Sequence, residues 1–95
     1  KVRLMTSGEW QQALQALGPH AQNLALWSVQ KPSYELMGSG LLWRAMPKDA
    51  THAAHDLFSV LRDFDSRGVQ TIWIETPPQT PDWEGVRDRL NRAAA

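Results

Sequence analysis

Hydrophobic and polar positions along the chain change period several times, and each change marks an element. Residues 2–5 (VRLM) form a short strand pattern. They lead into Thr6-Ser7-Gly8-Glu9, whose T-x-x-E spacing lets hydroxyl and carboxylate satisfy opposite ends of a helix's first turn. Trp10, Ala13, Leu14 and Leu17 follow at i, i+3, i+4 and i+7, one buried face, before Gly18-Pro19 stops the helix. Residues 24–29 (LALWSV) are apolar on both alternating faces, the pattern of a strand covered on two sides. Lys31-Pro32-Ser33-Tyr34 and Gly38-Ser39-Gly40 flank a loop, after which residues 41–46 (LLWRAM) form another strand. A wide hairpin would fit this connection and set LLWRAM antiparallel to its neighbour.

Pro47-Lys48-Asp49 supplies a break and an N-cap, and Ala50, Ala54, Leu57, Phe58, Leu61 and Phe64 then recur at helical spacing until Gly68. Residues 69–75 alternate Val69, Thr71 and Trp73 with Ile72 and Ile74, again apolar on both faces. Thr80 is placed to cap a last helix, with Pro81 at its first position and Trp83, Val86, Leu90 and Ala94 as its stripe. The order β-α-β-β-α-β-α predicts a single α/β layered domain: about four strands in a mostly parallel or mixed sheet, with three helices.

Composition narrows the chemistry. The 95 residues are enough for one core, and five Trp with 42% hydrophobic content can fill it without staples. The absence of cysteine removes disulfides, thiolate metal sites and thiol nucleophiles, and fits a reducing compartment. Ten Lys and Arg balance ten Asp and Glu, so the excess positive charge on which nucleic-acid binding draws is missing. No apolar run approaches the ~20 residues that span a bilayer, and the N-terminus has neither a signal-peptide core nor a cleavage site. The expected location is cytoplasmic. The chain opens at Lys1 rather than at an initiator Met, which leads to the expectation of a fragment of a longer protein.

Candidate reactive groups are sparse. Glu75 ends the run TIWIETPP at the carboxyl end of a strand, where ligands bind in open α/β sheets. Nothing in the sequence supplies the nucleophile, metal or oxyanion donors that an acid or base needs beside it. An exposed strand-end residue is the expectation. His52 and His55 lie three apart on one helix with Asp49 and Asp56 adjacent, whereas metal-binding helices more commonly use i and i+4, so a solvated surface is expected there and no metal. His20 is a loop residue. Gly38-Ser39-Gly40 opens a strand rather than a helix, which fails the requirement of a phosphate cradle. Trp27, Trp43 and Trp73 in strands, with Trp10 and Trp83 on helix stripes, are expected in the core. Arg87, Arg89 and Arg92 alternate with Asp82, Glu84 and Asp88, the composition of a solvated helix laced with ion pairs.

The second half of the chain resembles a known family. Met46-Pro47, Ala54, Leu57-Phe58, Leu61-Arg62, Asp65 and Gly68, then Ile74-Glu75, Pro77-Pro78, Trp83 and Arg87-Asp88-Arg89-Leu90-x-Arg92-Ala93-Ala94 together resemble the C-terminal accessory domain of bacterial threonylcarbamoyl-AMP synthases. The likeness covers residues 45–95 by motif and the first 45 by element order. It implies a Rossmann-like domain of a tRNA-modification enzyme whose N-terminal catalytic domain, absent here, makes threonylcarbamoyl-AMP from ATP, L-threonine and bicarbonate. The accessory domain would pack on that catalytic domain through a linker that can cover the active site. ATP is implied for the missing domain and no cofactor for this one. No catalytic position transfers to any residue numbered here, and Ala53 stands where many relatives carry Tyr.

Arg62 and Asp65 lie off the apolar stripe of their helix with no packing reason for their identity, which makes them the candidate interdomain contacts. The expectation is a non-catalytic accessory or regulatory domain whose partner is the catalytic domain of the same chain, with no membrane and no direct nucleic-acid contact. The alternative is an independent small-molecule or nucleotide-binding module that uses the strand ends near Ser28, Met46 and Thr76.

Overall fold

The computed structural model describes residues 1–18, 22–33 and 40–95. Four strands and three helices follow in order: β1 (Val2–Met5), α1 (Ser7–Leu17), β2 (Leu24–Ser28), β3 (Leu41–Ala45), α2 (Ala50–Ser66), β4 (Thr71–Glu75) and α3 (Glu84–Ala94). A 3-10 turn at Pro81–Trp83 leads into α3. The sheet order is β1-β4-β2-β3, and every pairing is parallel.

Alternation along the two central strands divides the core into two halves. Leu24 and Leu26 of β2 and Trp73 of β4 meet Trp10 and Leu14 of α1 on one face. Ala25, Trp27, Ile72 and Ile74 meet Ala53, Leu57, Val60 and Phe64 of α2, and Val86 and Leu90 of α3, on the other. One helix therefore covers one face and two cover the opposite one, which explains why Leu24, Ala25, Leu26 and Trp27 of β2 and Ile72, Trp73 and Ile74 of β4 are apolar and buried in succession.

LLWRAM runs parallel to β2, not antiparallel as a hairpin would set it: Leu24 lies opposite Leu41 and Ser28 opposite Ala45. Residues 29–40 are about a dozen, enough chain to return to the amino end of the sheet. The orientation has a consequence for everything after it. Met46 emerges at the carboxyl end, its N–H bonded to the Ser28 carbonyl at 2.8 Å, so α2 starts there and runs back, and β4 can enter parallel between β1 and β2.

Local signals at the first two helix starts are realised. Thr6 and Glu9 exchange both bonds of the capping box, 2.8 and 3.2 Å, and the Asp49 side chain accepts from the His52 N–H at 3.2 Å. The third start differs. The Thr80 hydroxyl makes no capping bond; the turn is held instead by the Arg87 guanidinium, which donates to the carbonyls of Pro78 and Thr80 at 2.6 and 2.9 Å. Gly68 closes α2 with φ +75°, a conformation that L side chains rarely adopt. Pro19 and Gly38-Ser39, read above as a helix stop and part of a turn, lie outside the described residues, as does His20.

The buried stripe of α2 is rotated from the expected one. Ala50, Ala53, Leu57, Val60 and Phe64 are buried, at spacings of three and four. Ala54 and Leu61 are only half-buried, and Phe58 is 59% exposed. Leu17, expected on the buried face of α1, is also exposed. Among the described residues, no helix is long and apolar enough to cross a membrane.

Candidate functional site

Two concave regions matter, one at each end of the sheet. At the carboxyl end a cleft of about 380 Å³ lies between the ends of β2 and β3 and the turn after β4, lined by Val29, Met46, Lys48, Glu75, Thr76 and Trp83 among others. This is where an open parallel sheet binds ligands. Glu75 is half-buried rather than exposed, and its Oε1 accepts a hydrogen bond from the Trp10 Nε1–H at 3.0 Å. Trp10 is fully buried. The carboxylate thus satisfies an indole donor that would otherwise be stranded in the core. Sequence reasoning missed that role because the partner lies 65 positions away.

Ser28, at the same end of β2, is likewise structural. Its buried hydroxyl donates to the Gln30 carbonyl at 2.7 Å and accepts from the Trp43 Nε1–H at 3.0 Å. Trp43 is half-buried, with Lys31 Nζ 5.9 Å from its ring centroid. Trp10, Trp27, Trp73 and Trp83 are buried as expected.

At the amino end a larger open groove, about 690 Å³, runs between α2 and the sheet. Val2 and Ile72, opposite one another in the β1–β4 ladder, line it from the sheet; Phe58, Leu61, Arg62 and Asp65 line it from α2; Lys1 stands beside them. Phe58 also lines a second concavity of about 380 Å³, shared with Arg89, Arg92 and Ala93 of α3. The two sequence candidates Arg62 and Asp65 are therefore brought together, both exposed, on one wall of the groove. Phe58, assigned from its spacing to the core, is the aromatic between the two hollows. The signal that could have found it is the spacing of Ala53, Leu57, Val60 and Phe64, which completes a buried stripe without it.

Electrostatics on this face are mixed in sign. Among the described residues Arg62, Asp65 and Arg89 make no ion pair, whereas Arg92 holds Asp88 at 2.7 Å one turn away. Of the three arginines expected in a salt-bridge lattice, Arg92 alone shows such a pair among the described residues; Arg87 is spent on the turn. Asp63, also on α2, joins Arg44 of β3 at 3.1 Å and Arg67 at 3.2 Å, tying the far edge strand to the helix. His52 and His55 are both exposed, and His52 pairs with Asp49. Among the described residues, no three His, Cys, Asp or Glu side chains are grouped to hold a metal ion.

The described residues thus form an all-parallel three-layer α/β domain whose strand-end carboxylate is committed to a core indole and whose groove of about 690 Å³ lies open between helix and sheet. The chain belongs to the family described as "Threonylcarbamoyl-AMP synthase, C-terminal domain", which matches residues 1–95. The match extends over the first half of the chain, where the sequence resemblance rested on element order alone. The domain is accordingly one of a tRNA-modification enzyme family. No curated protein and no solved structure matches the chain.

Proposed function

We propose that this chain is the non-catalytic accessory domain of a threonylcarbamoyl-AMP synthase, acting in the cytoplasm, and that it packs on and closes over the catalytic domain of the same polypeptide. ATP, threonine and bicarbonate are handled by that catalytic domain; this one influences how substrate is enclosed or product released. The observation that carries the reading is Phe58, 59% exposed between two hollows and ringed by Arg62, Asp65, Arg89 and Arg92. An aromatic anchor inside a polar rim of both signs is the usual anatomy of a protein–protein contact.

The test is kinetic and structural together. In the full-length synthase, Phe58→Ser and the double change Arg62→Ala with Asp65→Ala should leave the domain folded, lower the rate of threonylcarbamoyl-AMP formation and loosen domain packing in small-angle scattering. Unchanged kinetics with unchanged packing in all these variants would overturn the reading.

A second reading rests on the strand-end cleft, whose Lys48 and Glu75 flank an otherwise largely apolar lining: an independent module binding a small molecule or nucleotide. Localised, saturable amide shifts around Met46 and Thr76 on titration with AMP would favour it. Their absence at millimolar AMP would remove it.

A further inference from the structure

From the carboxyl ends of the adjacent strands β2 and β4 the chain leaves in opposite directions, to β3 on one side and to α3, which packs beside β1, on the other. Connections that part in this way leave a crevice at the strand ends. The cleft of about 380 Å³ occupies it, with Val29 following β2, Met46 and Lys48 following β3, and Glu75, Thr76 and Pro77 at the end of β4. Its volume is near the lower end of the roughly 300–1,000 Å³ usual for small-molecule pockets.

Backbone donors are scarce at this mouth. The Met46 and Thr76 N–H groups are given to the carbonyls of Ser28 and Met5, each at 2.8 Å. The residues that follow them, Pro47, Pro77 and Pro78, have no N–H to offer. A phosphate cradle is built from successive free backbone N–H groups, so the turns after β3 and β4 do not make one. The polar groups that remain are side chains. The Trp10, Trp27 and Trp43 indoles donate to Glu75, Ala45 and Ser28, whereas the Trp83 N–H has no acceptor among the described residues, although Trp83 is only 3% exposed. None of their side-chain nitrogens and oxygens is both sealed from solvent and unpartnered, so this N–H reaches open space, and the open space that Trp83 lines is the cleft. Lys48 is exposed and makes no ion pair among the described residues. Glu75 is oriented by the Trp10 bond to its Oε1, which leaves Oε2 as an acceptor.

We infer that the strand-end cleft is an effector site for a free α-amino acid with an apolar side chain. Lys48 pairs with the α-carboxylate, to which the Trp83 N–H adds a second donor, and Glu75 Oε2 accepts from the α-ammonium. The side chain lies against Val29, Met46, Pro77 and the Trp83 ring. One cation and one anion flanking an apolar wall complement a zwitterion, and a single lysine without a backbone nest is a poor match for a nucleotide. The inference goes beyond the accessory-domain reading and competes with the nucleotide-binding one.

Indole N–H resonances of the full-length synthase test the site, with the Trp83 peak assigned from Trp83→Phe. L-Leucine should move that peak saturably. L-Leucinamide, which lacks the carboxylate, and isocaproate, which lacks the ammonium, should each bind about tenfold more weakly or worse, having lost a charged partner. Lys48→Met should weaken L-leucine by a similar factor and leave L-leucinamide unaffected. Glu75→Gln, which keeps an acceptor for Trp10, should weaken L-leucine and leave isocaproate unaffected. Equal affinity for the three compounds, or an L-leucine affinity indifferent to Lys48→Met, overturns the inference. Saturation by AMP without any response to L-leucine overturns it in favour of the nucleotide-binding module. Silence with every compound also overturns it, and leaves the accessory reading, which rests on Phe58, standing.

Discussion

The Trp10 indole donates to the Glu75 carboxylate at 3.0 Å, joining the first helix to the end of the last strand. A residue that looks from sequence like a catalytic candidate is thereby a core residue's partner. Glu75→Leu should leave the buried N–H unpaired and cost about 1–3 kcal/mol. Glu75→Gln keeps a carbonyl acceptor and should cost clearly less. Urea midpoints of the two variants decide the matter; equal stability of wild type and Glu75→Leu would show that the bond contributes nothing.

Ser28, at the end of central strand β2, repeats the arrangement with an indole of edge strand β3, its hydroxyl lying between the Trp43 indole and the Gln30 carbonyl. Ser28→Ala removes both bonds at a fully buried position and should destabilise by about 1–3 kcal/mol. Near-ultraviolet circular dichroism should change as Trp43 loses its fixed orientation. A variant with wild-type stability and spectrum would contradict the assignment.

Two phenylalanines on one helix should behave oppositely. Phe64 is buried at 1% exposure, so Phe64→Ala should cost about 3–5 kcal/mol. Phe58→Ala should change the stability of this domain by no more than about 0.5 kcal/mol, because the ring already faces solvent. Thermal unfolding of the two variants side by side measures the contrast, and a large loss for Phe58→Ala would place that ring in the core after all.

Acid sensitivity should arise partly at the helix starts. Glu9 is held below its ordinary 4.5, chiefly by the Thr6 backbone N–H. Asp49 is held below its ordinary 3.8, chiefly by the His52 side chain and then by the His52 N–H. A carboxyl whose folded value is depressed contributes stability that is fully present above its unfolded value and disappears as pH falls through the folded one. The loss should therefore begin near pH 4.5 and continue downward. Glu9→Gln with Asp49→Asn should give a shallower acid decline in urea midpoint; an unchanged slope would assign the acid limb to other groups.

Much of the fold was legible because it is written in local periods. VRLM, LALWSV and TIWIE read as strands, and T-x-x-E and Asp49 as helix starts, since the groups that cap or cover them lie within a few residues or on the same repeating face. The misreadings share one cause. Phe58 and Val60 both fit an apolar helix, and only the angle at which α2 meets the sheet selects which is buried. LLWRAM has one strand pattern for either direction, so its parallel course depended on where the chain came back to the sheet.

The residues of the candidate site divide along the same line. By itself the chain determined a layered α/β domain with two doubly covered strands, and marked Arg62 and Asp65 as polar positions without a packing reason, because hydrophobic alternation and helical spacing act through neighbours in sequence. The tertiary structure alone decided that Glu75 holds Trp10, that Phe58 faces outward and that Lys1, Arg62 and Asp65 line one groove. Those relationships join residues tens of positions apart, and distances of that kind are fixed only when helices and strands have packed against one another.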